Sequence, residues 1–273
     1  QLALFFNFMK GVVLITGASS GIGRSIAEYL SEKKFKVYGT CRNPKKYVIS
    51  SFDLLKCDIT NNKSIIETIE YIILKENRID ILINNVGVGI SGPIEETSQK
   101  EILEAFRINC FGPIEITKEC IPHMREQKKG LIINITSVLG YFGNSYRGIY
   151  SATKSSMEMI GETLSMELKK FNIKVVNVAP GDFKTDIITR RIYSSIDKES
   201  VYYDDYQKSL NKANAHVNNA SSPEIIAELI FKIIMSKNPK IHYTVGKFIQ
   251  KFSIVLKKIL PQRLFEKLLM NYS

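Results

Sequence analysis

Residues 150–154 read YSATK. On a helix, positions i and i+4 share a face, about 5–6 Å apart at Cβ. Tyr150 and Lys154 could therefore bring a phenol and an ammonium to one reacting centre. Taken alone, the pair reads more readily as two solvated polar residues. A hydroxyl at Ser137 follows the apolar run LIINIT (131–136). If that run is a parallel strand, Ser137 sits at its carboxyl end, where ligands bind in sheets of this kind.

A second chemical stretch is TGASSGIGRS (16–25), directly after the run VVLIT (12–16). Glycines 17, 21 and 23 permit a tight turn and close backbone approach to a pyrophosphate, and the helix that follows offers free N–H groups. The spacing is not G-x-G-x-x-G, and no G-K-[ST] follows, which excludes a P-loop. The next strand-like run ends YGTCRNP (38–44). It carries no acidic residue for ribose hydroxyls. Arg42 stands there instead, with Arg24 after the glycine turn, and guanidinium groups suit a 2′-phosphate. The cofactor expected is NADP(H) in preference to NAD(H).

These residues need a scaffold. Strand-like runs at 12–16, 36–40, 54–58, 81–85, 131–136, 174–180 and 241–245 alternate with helical patterns near 22–33, 61–76, 99–127, 148–170 and 223–236. Runs apolar on both faces suit a buried parallel sheet, and the alternation implies right-handed βαβ units. The fold expected is α/β, a Rossmann-like doubly wound parallel sheet of about seven strands in one domain, 9–245. The polar, tyrosine-rich stretch 182–222 breaks the rhythm and reads as a substrate lid.

TGASSGIG, NNVG (84–87), Asn109 in RINCFG, Ser137 with YSATK, and PGDFKT (180–185) together resemble the short-chain dehydrogenase/reductase family. The resemblance covers about 10–245. Its one small departure is NNVG, where the family more often has NNAG. The resemblance implies a catalytic set of Asn109, Ser137, Tyr150 and Lys154. Tyr150 would be the general acid or base and Ser137 the hydrogen-bond donor to the substrate oxygen. Lys154 would bind the nicotinamide ribose and lower the phenol's pKa. Asn109 would hold its helix and a water of the proton relay. The cofactor would lie along Gly17, Ser19, Ser20, Gly21, Ile22, Gly23, Arg42, Asp58, Ile59, Asn85, Gly87, Tyr150, Lys154, Pro180, Gly181, Phe183 and Thr185. An ammonium at ~4 Å in an effective dielectric of ~20 is worth about 4 kcal/mol. That could bring a phenol from about 10 towards 7, where general acid–base work is efficient.

The reaction implied is hydride transfer between NADP(H) and a ketone, aldehyde or alcohol. Expected substrate walls are Leu139, Phe142, Tyr146 and Phe183, with Val88, Ile90, Asn144, Ile187 and the lid tyrosines around them. That mix suits a medium or large apolar molecule. Two alternatives stand beside this reading: a 3-oxoacyl-carrier-protein reductase, and a non-catalytic NADP(H)-sensing protein. The family also implies a homodimer or homotetramer.

The formal charge is +11, and +7 of it falls between Lys237 and Ser273, where eight Lys/Arg face one Glu. No nucleic-acid motif accompanies it. The stretch 246–273 reads as a basic amphipathic helix with Phe248, Phe252, Val255, Leu256 and Ile259 on one face. It could pack on its own fold, seal a subunit interface or touch a membrane peripherally. Cys41, Cys57, Cys110 and Cys120 form no C-x-x-C pair, so no metal site is expected and the thiols should be reduced in a cytoplasmic setting. No apolar run reaches the roughly 18–20 residues of a membrane span. Met9 reads as the natural start, with residues 1–8 an upstream extension.

Overall fold

The computed structural model describes residues 11–49, 51–185, 189–218 and 220–272; the suggested extension at 1–8 lies outside them. The apolar runs form β1 (Val12–Ile15), β2 (Lys36–Cys41), β3 (Asp53–Lys56), β4 (Ile81–Asn84), β6 (Gly130–Ile135), β7 (Ile173–Pro180) and β9 (His242–Val245). They pair in the order β3-β2-β1-β4-β6-β7-β9, every pair parallel. This is the expected seven-stranded Rossmann-like sheet. Strand order reverses between β1 and β4, so a crevice opens at their carboxyl ends.

Alternate residues of each strand face opposite layers. Val13 and Ile15 pack with Ile26 and Leu30 of α1 (Gly21–Glu32) and with Ile226 and Ile230 of α7 (Glu224–Met235). Val12 and Leu14 pack with Ile65 and Ile69 of α2 (Asn62–Glu76) and with Ile116 and Cys120 of α4 (Gly112–Glu126). The strands are buried on both faces, which is why they read as continuous apolar runs.

The helix expected over 99–127 is not continuous. A capping box, Ser98 with Glu101, starts α3 (Gln99–Phe106), and Arg107–Phe111 then forms a π-turn before α4. Apolar periodicity does not register the extra residue of a π-turn. It brings Asn109 inward, and that side chain is buried.

The stretch 182–222 carries more regular structure than its weak periodicity suggested. Its two-residue strand β8 (Ile192–Tyr193) pairs with β5 (Ile90–Ser91), and it also contains α6 (Tyr203–Asn218). Tyr206 is buried and donates its hydroxyl to the Ser91 carbonyl at 3.1 Å. Beyond β9, Pro261 divides the expected single helix into α8 (Phe248–Ile259) and α9 (Gln262–Tyr272). Proline cannot donate to the preceding turn. Among the described residues no helix is long and apolar enough to cross a membrane.

One polar feature crosses this apolar interior. Asn84, Asn134 and Asn177 stand in register on β4, β6 and β7. Asn84 Nδ2 donates to Asn134 Oδ1 at 3.0 Å, Asn134 Nδ2 to Asn177 Oδ1 at 2.9 Å, and Asn177 Nδ2 to the Glu158 carbonyl at 2.9 Å. The chain thus ties three strands to α5 (Gly148–Glu167). An orphaned buried polar group costs about 1–3 kcal/mol. Asn134→Leu keeps the bulk and cuts the ladder in the middle. Urea unfolding should show a lower midpoint by that order of free energy with an unchanged slope; an unchanged midpoint would deny the ladder a structural role.

Candidate active site

At the carboxyl ends of the central strands lies a cavity of about 570 Å³. On its phosphate side, Gly17 and Gly21 adopt φ of +69° and +56°, a region side chains disfavour. Asn85 fixes this turn. Its Nδ2 donates to the carbonyls of Thr16 (2.8 Å) and Gly17 (3.1 Å), while Thr16 Oγ1 accepts from the backbone N–H groups of Asn85 and Val86 at 3.0 Å. A Cβ on Gly23 would lie 2.4 Å from Asn85 Nδ2, so that glycine is needed for packing. Ser20 caps α1 without a side-chain hydrogen bond, which leaves first-turn N–H groups for an anion. Of the two arginines expected near a 2′-phosphate, Arg24 is paired with Glu28 at 2.8 Å. Arg42 is exposed at the end of β2, with no carboxylate at ion-pair distance among the described residues. Asp58 Oδ1 accepts from the Thr60 backbone and hydroxyl, and Ile59 is buried beside it.

On the reacting side, Ser137 caps the single turn Val138–Gly140 and its Oγ accepts from Leu139 N–H at 3.2 Å. Tyr150 occupies the first turn of α5. Lys154, one turn on, is only 5% exposed, and its Nζ donates to the Ile135 carbonyl at 3.0 Å. Burial pushes this ammonium down to about 8, against the opposing charge of Glu158. Asn109 Oδ1 accepts from Val88 N–H (2.8 Å); its Nδ2 donates to the Val88 carbonyl (2.9 Å) and to Thr153 Oγ1 (3.1 Å). It thereby clasps the π-turn, the loop after β4 and α5 together. The four expected catalytic residues are gathered at one edge of the sheet.

The tuning expected of Lys154 is not what this geometry gives. Nζ lies 5.9 Å from the Tyr150 ring centroid, anchored on Ile135. Burial raises the Tyr150 phenol, and the largest opposing influences are the Ser137 hydroxyl and the Arg147 charge. Lys154 nevertheless fits a cofactor. A buried ammonium has three donors, and one of them is spent on Ile135. A Cβ on Gly87 would come within 3.3 Å of both Nζ and Asn109 Oδ1, so the bare glycine keeps that donor approachable. An ammonium open to a ribose diol, a glycine turn with free amides and an exposed Arg42 together fit a nicotinamide dinucleotide.

Val88, Leu139, Phe142, Asn144 and Phe183 line the cavity as expected. Other expected walls stand apart from it, including Tyr193, Tyr202, Tyr203 and Tyr206 of the stretch 182–222. Ile90 is buried in β5, and Tyr146 packs edge-to-face on Tyr206, with centroids 5.6 Å apart. Ile187 lies outside the described residues. The stretch 246–273 packs on its own fold: Ile254 and Phe265 are buried against Val138 and Phe142. Of the apolar face read from the sequence, Leu256 turns inward and the rest does not. Phe248 is 76% exposed, and Phe252, Val255 and Ile259 are exposed with it. Gln250 explains the rotation, since its Oε1 accepts from Asp182 N–H (3.2 Å) and its Nε2 donates to Asp182 Oδ2 (2.6 Å). This turns Gln250, Ser253 and Leu256 towards the cavity, where Phe265, Leu268 and Leu269 of α9 join them.

Sequence reasoning missed Arg147, Arg191 and Asp182 in the cavity wall, and Glu158 beneath it. Glu158 could have been found by its spacing, four residues after Lys154. It is buried and accepts from Tyr141 Oη (3.1 Å), Asn177 Nδ2 (3.0 Å) and the Thr136 hydroxyl.

Residues 11–193 match the family described as short chain dehydrogenase. The chain belongs to the short-chain dehydrogenase family. It is 37% identical over 256 residues to a 3-ketodihydrosphingosine reductase of Bacteroides thetaiotaomicron, covering 93% of this chain and 95% of that one. It is 29% identical to the probable short-chain type dehydrogenase/reductase VdlC of Helicobacter pylori, over 94% of this chain and 96% of the relative. A short-chain dehydrogenase structure from Streptomyces avermitilis superposes with a TM-score of 0.82 at 27% identity, covering 92% of this chain and 94% of that one. This short-chain dehydrogenase is accordingly an oxidoreductase.

The lowered Lys154 pKa has a consequence for stability. Between about 8 and the ordinary 10.5, the unfolded chain holds a proton that the folded chain has released. Stability from this group therefore rises with pH across that window. In the cofactor-free protein, Lys154→Met should remove that rise from a plot of urea midpoint against pH. Parallel plots for both proteins would show that the ammonium is not perturbed.

Proposed function

We propose that the protein is an NADP(H)-dependent oxidoreductase interconverting a ketone and an alcohol on a medium-to-large apolar substrate. One observation carries the reading: Ser137 and Tyr150 line a cavity whose far wall, from α8 and α9, is largely apolar. The similarity to a 3-ketodihydrosphingosine reductase supports a long-chain ketone as the class.

The nicotinamide, when bound, supplies or accepts the hydride. The chain does the rest. In reduction, Tyr150 donates its proton to the carbonyl oxygen and Ser137 donates a hydrogen bond to the same oxygen. Burial of Tyr150 keeps the phenol protonated at neutral pH, which suits an acid. Lys154 would hold the ribose, and Asn109 fixes the helix that carries Tyr150 and Lys154. Arg42 would take the 2′-phosphate as a charge-assisted partner. Half-exposed Ile249 and Leu268 stand where an apolar tail would enter.

NADPH and NADH oxidation against a panel of long-chain ketones tests the reading. Proton transfer by a positioned side chain contributes about 10²–10⁴-fold. Tyr150→Phe should lose turnover on that scale while NADPH still binds; near-wild-type rates would remove Tyr150 from catalysis. Arg42→Ala should weaken NADPH about 10–100-fold, as expected for lost charged hydrogen bonds, and leave NADH nearly unchanged. Equal losses for both cofactors would remove the phosphate role.

A further inference from the structure

Two guanidinium groups in the cavity wall have no assigned role above beyond the influence of the Arg147 charge on the Tyr150 phenol. Arg147 immediately precedes α5, one turn before Tyr150, and its side chain makes no capping hydrogen bond. Arg191 lies where the stretch 182–222 meets β5, and it is 6% exposed. Its Nη1 donates to Asn214 Oδ1 at 2.9 Å, its guanidinium lies 5.7 Å from the Tyr193 ring centroid, and its Nε is buried without an acceptor. Both side chains line the cavity that holds Ser137 and Tyr150.

Among the described residues, no carboxylate lies at ion-pair distance from either arginine. The one acidic residue in the described wall is Asp182, whose Oδ2 accepts from Gln250 Nε2 and whose charge offsets both arginines in part. Arg147 is pushed down to about 10, first by burial and next by the charge of Arg191. Two like charges set together in a cavity wall, one of them buried, are costly, and an oxyanion that reaches both removes much of that cost. Arginine's planar fork matches carboxylate and phosphate oxygens. A purely apolar ketone would leave the pair unanswered, and a cationic amino-ketone head would meet repulsion.

We infer that Arg147 and Arg191 form an anion subsite, so that the substrate is a ketone with an apolar tail and a carboxylate or phosphate close to the reacting carbonyl. This rests on the ketone-reductase reading and narrows it. The cofactor's phosphates belong to the glycine turn and Arg42 at the end of β1 and β2, whereas Arg147 leads into the helix of Tyr150.

The test compares matched ketones in the intact protein with NADPH: 3-oxododecanoate, its methyl ester, an acyl dihydroxyacetone phosphate and its dephosphorylated form, and a long-chain 2-amino-3-ketone. Wild type should favour one anionic member over its neutral partner by about 10–100-fold in kcat/KM, the scale of lost charged hydrogen bonds. Which pair shows the preference identifies carboxylate or phosphate. Arg147→Met and Arg191→Met should bring that ratio close to one, with NADPH affinity unchanged. Arg191→Lys, which keeps the charge, should retain part of it, and guards against a variant that fails to fold. Equal rates on both members, a preference for the ester or the amino-ketone, or variants that slow both members alike would overturn the subsite. Failure of every ketone would sink the parent reading instead. The subsite is then decided by calorimetry, suited to a chain without tryptophan, using octyl phosphate, octanoate and octanol. Binding of an anion that is lost in Arg191→Met would uphold it, and no anion binding would end it.

Discussion

A buried ammonium organises this molecule. Lys154 sits where water is nearly absent, and an isolated charge there would be prohibitively costly. It is tolerated because the last residue of β6 presents the Ile135 carbonyl at 3.0 Å and because Glu158, one turn along α5, supplies the opposite charge. Those two requirements fix the register of α5 against the sheet. Once α5 is fixed, Tyr150 must face the end of β6, where Ser137 begins the next turn. Asn109 can clasp Thr153 only in that register. Glu158 in turn is held by groups from β6, β7 and β9, namely Thr136, Asn177 and His242. The reacting end is thus wired into the sheet through one ion.

The phosphate end is built on a different economy. Its residues are rigid because they are small: the backbone of the turn is locked by Asn85 and Thr16, and the helix start is left with amides exposed. At the rim, Arg42 stands exposed at the end of β2. The apolar wall of the cavity is housed elsewhere again, in α8 and α9, which follow β9.

Much of this was legible in the amino-acid order. The seven strands read correctly to within a residue or two because parallel strands buried on both faces leave long apolar runs. The glycine turn, Ser137 and YSATK were legible because backbone geometry and helical spacing dictate them locally. What escaped depends on contacts distant in sequence. The π-turn at Arg107–Phe111 adds a residue to a helix without disturbing its apolar pattern. The orientation of α8 is set by Gln250 reaching Asp182, a polar bond that outweighs the more apolar face. Arg191 reads as one more lid cation until β8 pairs with β5 and carries it inward. Tyr146 and Ile90 were misplaced for the converse reason: both are apolar neighbours of the site in sequence, but β5 and α6 absorb them.

The roof of the cavity has a temporal side. α8 and α9 follow every strand of the sheet, and a chain emerges from the ribosome at about 5–20 residues per second. The glycine turn, Ser137, Tyr150 and Lys154 can all be assembled while the wall made by Leu256, Phe265, Leu268 and Leu269 is still being synthesised. For that interval of seconds the nascent protein has a complete dinucleotide groove beside an open apolar trough. Val138 and Phe142, later sealed by Ile254 and Phe265, are then exposed to whatever surrounds them, and the last two helices serve as the protein's own late-arriving chaperone for that surface.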